Sequence, residues 1–309
     1  MIGSVRFPVA TFIASICCVF AATSADAAKM RICQEQEQHY EQIKAGAGPL
    51  EINAALSAAA DKDCLKLAKR LLDEGASLGS RDRFGSMPLT HAAKAGNMEI
   101  LALFLARGAA INARNLDGST ALYVAAEEDN PSAVEALISH GADVNLPGRS
   151  GLTPIEAAAY MGNEKLVTLL VDKGADPKRT DTTGKAPICY AVARGFAKVV
   201  AVLLDHSIDV NARYGNDLTA LMWAAGHEDS AGSSDVVDVV TLLLDHGAHI
   251  DDQDNRGRTA LMIAASLGHT NAVDVLLARG ADRGVRDKTG KTAADLAANG
   301  ELRKKLSVG

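Results

Sequence analysis

Apolar positions along this chain recur in clusters of the i, i+1, i+4, i+5 kind, the spacing of a helix that buries one stripe. Ile100, Leu101, Phe104 and Leu105 form one such cluster. Between the clusters stand small pairs such as Ala125-Ala126 and Ala264-Ala265, where adjacent helices can approach closely because neither carries bulk. Two columns of glycine punctuate the pattern. Gly85, Gly118, Gly151 and Gly184 lie 33 residues apart; after a seven-residue insertion the column resumes at Gly257 and Gly290, with Asp217 in register between them. The other column runs through Gly75, Gly108, Gly141, Gly174, Ser207, Gly247 and Gly280. Two columns held in one phase define an internal repeat, each unit of which needs its neighbours to bury its apolar face.

The segments around the first column are Gly118-Ser119-Thr120-Ala121-Leu122, Gly151-Leu152-Thr153-Pro154-Ile155 and Gly257-Arg258-Thr259-Ala260-Leu261. Each opens a first helix that ends in a small pair. A second helix closes in the manner of Leu276 to Asp282. With these residues the chain resembles the ankyrin-repeat family over about 49–306. The resemblance implies an all-α fold with short β-hairpins, an ankyrin-repeat solenoid of stacked helix–turn–helix units. It places an N-terminal capping repeat at 49–81 and six full repeats at 82–114, 115–147, 148–180, 181–213, 214–253 and 254–286, with a C-terminal cap at 287–306. The local chemistry is consistent: Thr can cap the first helix, Pro154 fits its first turn, and a glycine such as Gly108 supplies a left-handed C-cap. Ile52 stands where the first repeat would carry its glycine, so no hairpin is expected there. The last unit ends on the polar run Arg303-Lys304-Lys305, suited to an outer face that meets water. Ser207 in a glycine column predicts an altered turn, and 227–234 reads as a tolerated loop between the two helices of its repeat.

Residues 1–27 read as a signal peptide: Arg6, an apolar run from Phe7 to Ala22, and the small-x-small pattern Ala25-Asp26-Ala27. The run is shorter than the ~20 residues a membrane span needs. Cleavage after Ala27 and export, to the periplasm or beyond it, are therefore expected, with no membrane insertion after the signal is removed. Segment 28–48 follows, with a short helix expected over 31–44 and a break at Gly46-Ala47-Gly48-Pro49; it is expected to dock on the open end of the solenoid. Cys17 and Cys18 leave with the signal, so an odd set remains: Cys33, Cys64 and Cys189. Cys189 reads as a small core residue. Cys33 and Cys64 are either two free thiols or a disulfide tying segment 28–48 to the first repeat.

Composition narrows the function. Hydrophobic residues make up 48% but aromatic residues only 4%, so the apolar volume is Ala, Leu and Val, as closely packed helices require. A net charge of −6 argues against a nucleic-acid partner. No nucleophile elbow, phosphate loop or His-Glu-x-x-His appears, so no enzyme and no cofactor are expected. His140, His206 and His246 share a column near the end of a second helix, where a proton-bearing ring suits the helix dipole better than zinc geometry; no metal is expected.

By resemblance, ankyrin proteins bind proteins through hairpin tips and the exposed part of the first helix, which line a concave surface. Carried onto this chain, the partner-binding positions are Arg83, Phe84, Lys94, Arg114, Leu116, Arg149, Leu152, Tyr160, Met161, Lys185, Arg194, Arg213, Arg256 and Arg258. Asp82, Asp117, Asp181, Asp254 and Asp287 sit among the tips and would dilute their positive charge. The expected function is that of a monomeric protein-binding scaffold acting outside the cytoplasm. Its alternatives are a secreted effector binding a host protein and a chaperone-like factor supporting an exported enzyme.

Overall fold

Four of the first helices begin on a threonine that satisfies a free N–H group of the new helix. The hydroxyls of Thr120, Thr219, Thr259 and Thr292 accept from Tyr123 N at 3.2 Å, Met222 N at 3.4 Å, Met262 N at 3.3 Å and Asp295 N at 3.4 Å. Pro88, Pro154 and Pro187 occupy the first turn instead, where no donor is needed. In the computed structural model, residues 10–206, 208–226 and 233–307 are described, with the backbone alone for 10–25 and 233–234. The altered turn expected at Ser207 and most of the 227–234 loop lie outside the described residues, as do residues 1–9 of the expected signal.

The chain divides into two compact units, Met1–Ile111 and Asn112–Gly309. The first holds α1 (Ala10–Ile43), α2 (Pro49–Asp61), α3 (Leu65–Asp73), α4 (Pro88–Ala95) and α5 (Met98–Ala106). The helix expected over 31–44 is the C-terminal part of α1, and a 3-10 turn at Lys44–Gly46 ends it before Pro49. α1 packs on α2 and α3. Tyr40 is buried there at 2% exposure and donates from its hydroxyl to Glu74 Oε2 at 2.6 Å. Lys44 Nζ and Arg70 Nε reach the other oxygen of Glu74 at 2.7 and 3.0 Å, and Arg70 also pairs with Glu41. These hydrogen bonds, that of Lys44 first and Tyr40 next, hold the Glu74 pKa down at about 2. Cys33 and Cys64 form a disulfide, with S–S 2.08 Å and Cα–Cα 5.3 Å, joining α1 to the residue before α3.

The second unit repeats one theme. Its first helices are α6 (Ala121–Glu127), α8 (Pro154–Met161), α10 (Pro187–Val192), α12 (Ala220–Ala225), α14 (Ala260–Leu267) and α16 (Ala293–Leu296). Its second helices are α7 (Pro131–Ser139), α9 (Glu164–Asp172), α11 (Ala197–Asp205), α13 (Ser233–Asp245), α15 (Thr270–Ala278) and α17 (Gly300–Ser307). First helices pack on first helices through the alanine pairs; Ala125, Ala126, Ala158, Ala159, Ala264 and Ala265 are fully buried. Second helices insert stripes such as Leu166, Val167 and Leu170 behind them. Gly108 follows α5 at φ +80°, where a Cβ would be strained, and its N–H closes on Leu105 O at 3.0 Å. His140, His206 and His246 each donate from Nδ1 to the carbonyl four residues back, at 2.8, 2.7 and 2.8 Å, satisfying the last turn of their helices.

The expected β-hairpins are reduced to tight turns. They close on few backbone bonds: Asp82 N to Ser86 O at 3.0 Å with Gly85 N to Asp82 O at 2.9 Å, and Asp254 N to Arg258 O with Gly257 N to Asp254 O, both at 2.9 Å. Among the described residues the isolated bridge Tyr214–Leu218 is the sole β pairing. The cause lies in the turn: its inner N–H groups turn to a side chain. Asp82 Oδ1 accepts from Phe84 N and Ser86 N, both at 2.8 Å, leaving no second rung for a strand.

Candidate partner-binding surface

The tips are built from two columns of side chains. The first is the aspartate at the turn. Asp181, Asp254 and Asp287 repeat the arrangement of Asp82, and Asn115 does so with its amide oxygen, accepting from Ser119 N at 2.8 Å. Asp181, Asp254 and Asp287 are buried, so they hold the turns and are not exposed charges diluting the tips. Burial opposes ionisation of Asp181, yet the Tyr190 hydroxyl and the Lys185 and Thr183 donors outweigh it and lower its pKa. In the repeats beginning at 148 and 214 the column holds Gly148 and Tyr214, and residues 149–151 and 215–217 wind into 3-10 turns. A Cβ at Gly148 would lie 2.5 Å from the Tyr123 ring, so the ring fills the place of the missing carboxylate.

The second column is the residue before each turn. Arg114 Nε donates to Gly118 O at 2.7 Å, and its Nη2 reaches Pro147 O at 2.5 Å, one repeat further on. Arg213 does the same to Asp217 O at 3.2 Å and Gln253 O at 2.7 Å. Gln253 follows with Gly257 O at 2.7 Å and Arg286 O at 3.1 Å. Arg114 and Arg213, both among the expected partner-binding positions, thus staple one tip to the next. Arg213 also pairs with the carboxylates of Asp217 at 3.4 Å and Asp252 at 3.2 Å.

The remaining expected positions separate by environment. In the first unit Arg83 lies 4.7 Å over the ring of Phe84, which is 56% exposed, and Lys94 is exposed at the end of α4. In the second unit Leu116 is exposed on its tip and Leu152 half-buried. Arg149 pairs with Glu127. Arg256 pairs with Asp254 at 2.9 Å, and Arg258 stands 3.8 Å from Asp287 with its side chain largely covered. Tyr160 and Met161 are exposed at the end of α8, and Arg194 stacks on Tyr160. Lys185 lies between the rings of Tyr190 and Trp223. Tyr190, Phe196 and Trp223 are not among the positions expected from the sequence. The signal was there: in register, Tyr190 and Trp223 occupy the column that holds Val124, Ala157 and Ile263 in other repeats.

Behind this surface Glu156 is buried at 1% exposure. Its Oε2 accepts from the Thr153 hydroxyl at 2.9 Å and from Thr153 N, closing a capping box, while Oε1 has no partner. Burial raises its pKa to about 7 against those stabilising bonds. Among the described residues, no group of three or more His, Cys, Asp or Glu could hold a metal ion, and no helix is long and apolar enough to cross a membrane.

Comparison with known proteins agrees with this geometry. The family described as "Ankyrin repeats (3 copies)" matches residues 56–148, 112–181 and 155–254, and that described as "Ankyrin repeats (many copies)" matches 243–297. The chain belongs to the ankyrin-repeat family. The solved ankyrin-repeat domain of human ASB11 is similar at 27% identity and a TM-score of 0.64, over 72% of this chain and 96% of that one. No curated protein matches the sequence. An ankyrin-repeat array is a protein–protein interaction scaffold, and the fold is typically non-enzymatic.

Proposed function

We propose that this ankyrin-repeat protein binds a protein partner outside the cytoplasm, through the tip and first-helix face of its second unit. One observation carries the binding face. The exposed large apolar side chains of that unit are Leu116 on a tip and Tyr160, Met161 and Leu267 at the ends of first helices; among the described residues none stands on a second helix. Exposed apolar groups gathered on one side mark an interaction surface, because leaving them in water is otherwise unfavourable. The pattern Arg6, Phe7 to Ala22 and Ala25-Asp26-Ala27 supports export. So does the Cys33–Cys64 bridge, which persists in oxidising compartments.

Two experiments test the reading. N-terminal sequencing of the mature protein is expected to begin at Ala28; intact Met1 on cytosolic protein would overturn export. Capture of partners with the mature chain is expected to fail for Tyr160→Ala/Met161→Ala, since aromatic anchors at the centre of an interface typically cost ~2 kcal/mol or more when truncated. Lys173→Glu, on an exposed residue after α9, is expected to capture normally. The opposite pattern places the partner on the second-helix face.

A further inference from the structure

The first-helix face of the second unit carries a run of rings covered by the chain's own cations. The Arg194 guanidinium lies 4.7 Å over the Tyr160 ring and 5.6 Å over that of Phe196, and its Nη1 donates to the Tyr160 hydroxyl at 3.3 Å. Tyr160 meets Tyr190 edge to face, with centroids 6.4 Å apart. One repeat further, Lys185 Nζ lies 5.8 Å from the Tyr190 ring and 5.3 Å from Trp223. Rings and cations thus alternate across the repeats 148–180, 181–213 and 214–253. The repeat does not need rings at Tyr190 and Trp223 to fold, for Val124, Ala157 and Ile263 hold the same column. In a chain with only 4% aromatic residues, their gathering here calls for another purpose.

We infer that this strip binds an extended acidic segment of a protein partner, its carboxylates on Arg194 and Lys185 and its apolar side chains against Tyr160 and Trp223. The inference rests on the scaffold reading above and gives the partner its chemistry. Charge complementarity carries it. Among the described residues neither Lys185 nor Arg194 has a carboxylate at salt-bridge distance, although the protein as a whole is acidic. Two acids of the same repeats are committed elsewhere: Asp181 to its turn and the Tyr190 hydroxyl, Glu156 to the cap of α8. A guanidinium laid flat on a ring keeps in-plane N–H groups for a carboxylate, and the ring holds it in place at little entropic cost. A single-stranded nucleic acid fits less well, since successive bases stack on successive open ring faces and one face of Tyr160 and of Trp223 is taken by Arg194 and Lys185.

Trp223 is the chain's single tryptophan, so its fluorescence reports directly on the strip. The full mature chain is titrated with a synthetic peptide of alternating Glu and Leu, with its Lys-for-Glu counterpart, and with an oligothymidylate. The acidic peptide is expected to change Trp223 emission saturably and to weaken as salt rises; the other two are expected to do neither. Lys185→Ala/Arg194→Ala is expected to weaken the acidic peptide about tenfold, the loss of two exposed ion pairs, with an unchanged helical melting curve. Equal response to the basic peptide, response to the oligonucleotide alone, or no response to any probe overturns the inference. If the acidic peptide fails while a natural partner still depends on Tyr160 and Met161, the strip's chemistry is wrong and the scaffold reading stands. If that dependence also fails, the scaffold reading falls with it.

Discussion

Glu156 and Arg114 show how little of a side chain's role follows from its type alone. Glu156 closes the capping box of α8, yet it is buried with one oxygen unpartnered, and its pKa is raised from 4.5 to about 7 by loss of water. Between those values the folded chain keeps a proton that the unfolded chain has released. Stability therefore falls as pH rises through this window, and the penalty is complete above it. Glu156→Gln keeps an acceptor for Thr153 N and never ionises. It is expected to stabilise by about 2 kcal/mol near pH 8 and to be neutral near pH 4, read from denaturation midpoints. A stability difference independent of pH would contradict the buried, proton-holding carboxyl. Arg114 reads as an exposed hot-spot arginine, yet it donates to two carbonyls 29 residues apart in sequence, Gly118 and Pro147. Arg114→Ala is expected to cost about 1 kcal/mol in a denaturation curve, more than an exposed change such as Lys173→Glu, which is expected to lie within ~0.5 kcal/mol. Equal cost for the two would show that the staple does not bear on stability.

At the scale of elements the sequence was most legible where structure depends on neighbours in the chain. Thr120, Thr219 and Thr259 cap the helices that follow, and the glycine columns mark the turns, because both effects act within a few residues. What escaped depends on residues one repeat away. The reach of Arg114 to Pro147, the burial of Asp254 in its turn, and the pairing of Lys185 with Trp223 appear only when the repeats are stacked. The helix α1 was largely legible: its break before Pro49 and its seat on the first repeat were expected, the charged groups that hold it there were not. That seat depends on a charged cluster and a covalent link. The Glu74 pKa is held near 2 by Lys44, Tyr40 and Arg70, so its contribution is present above pH 4.5 and is lost as pH falls towards 2. Glu74→Gln is accordingly expected to loosen α1 at neutral pH, seen as faster amide exchange over 33–43, and to make no difference once the carboxylate is protonated. Replacing Cys33 and Cys64 by Ser opens a link across 31 positions and is expected to cost about 3–4 kcal/mol, measured by denaturation of both forms under non-reducing conditions. Two alkylatable thiols in the native protein would contradict the bridge.

For the whole molecule, a repeat array separates the work of folding from the work of binding. The alanine pairs and second-helix stripes that hold the repeats together are buried, while the side chains that differ from repeat to repeat, Tyr160, Met161, Lys185 and Arg194 among them, lie on the tip and first-helix face. The family relationship makes this a scaffold; the face on which exposed apolar groups gather is where we propose that it works. The most direct test is hydrogen exchange of the mature chain with and without its captured partner. Protection is expected in the tips and first helices of the second unit, centred on 149–161 and 182–194, with the outer faces of α9 and α11 unchanged. Protection confined to α9 and α11, with the tips exchanging as in the free protein, would contradict the account.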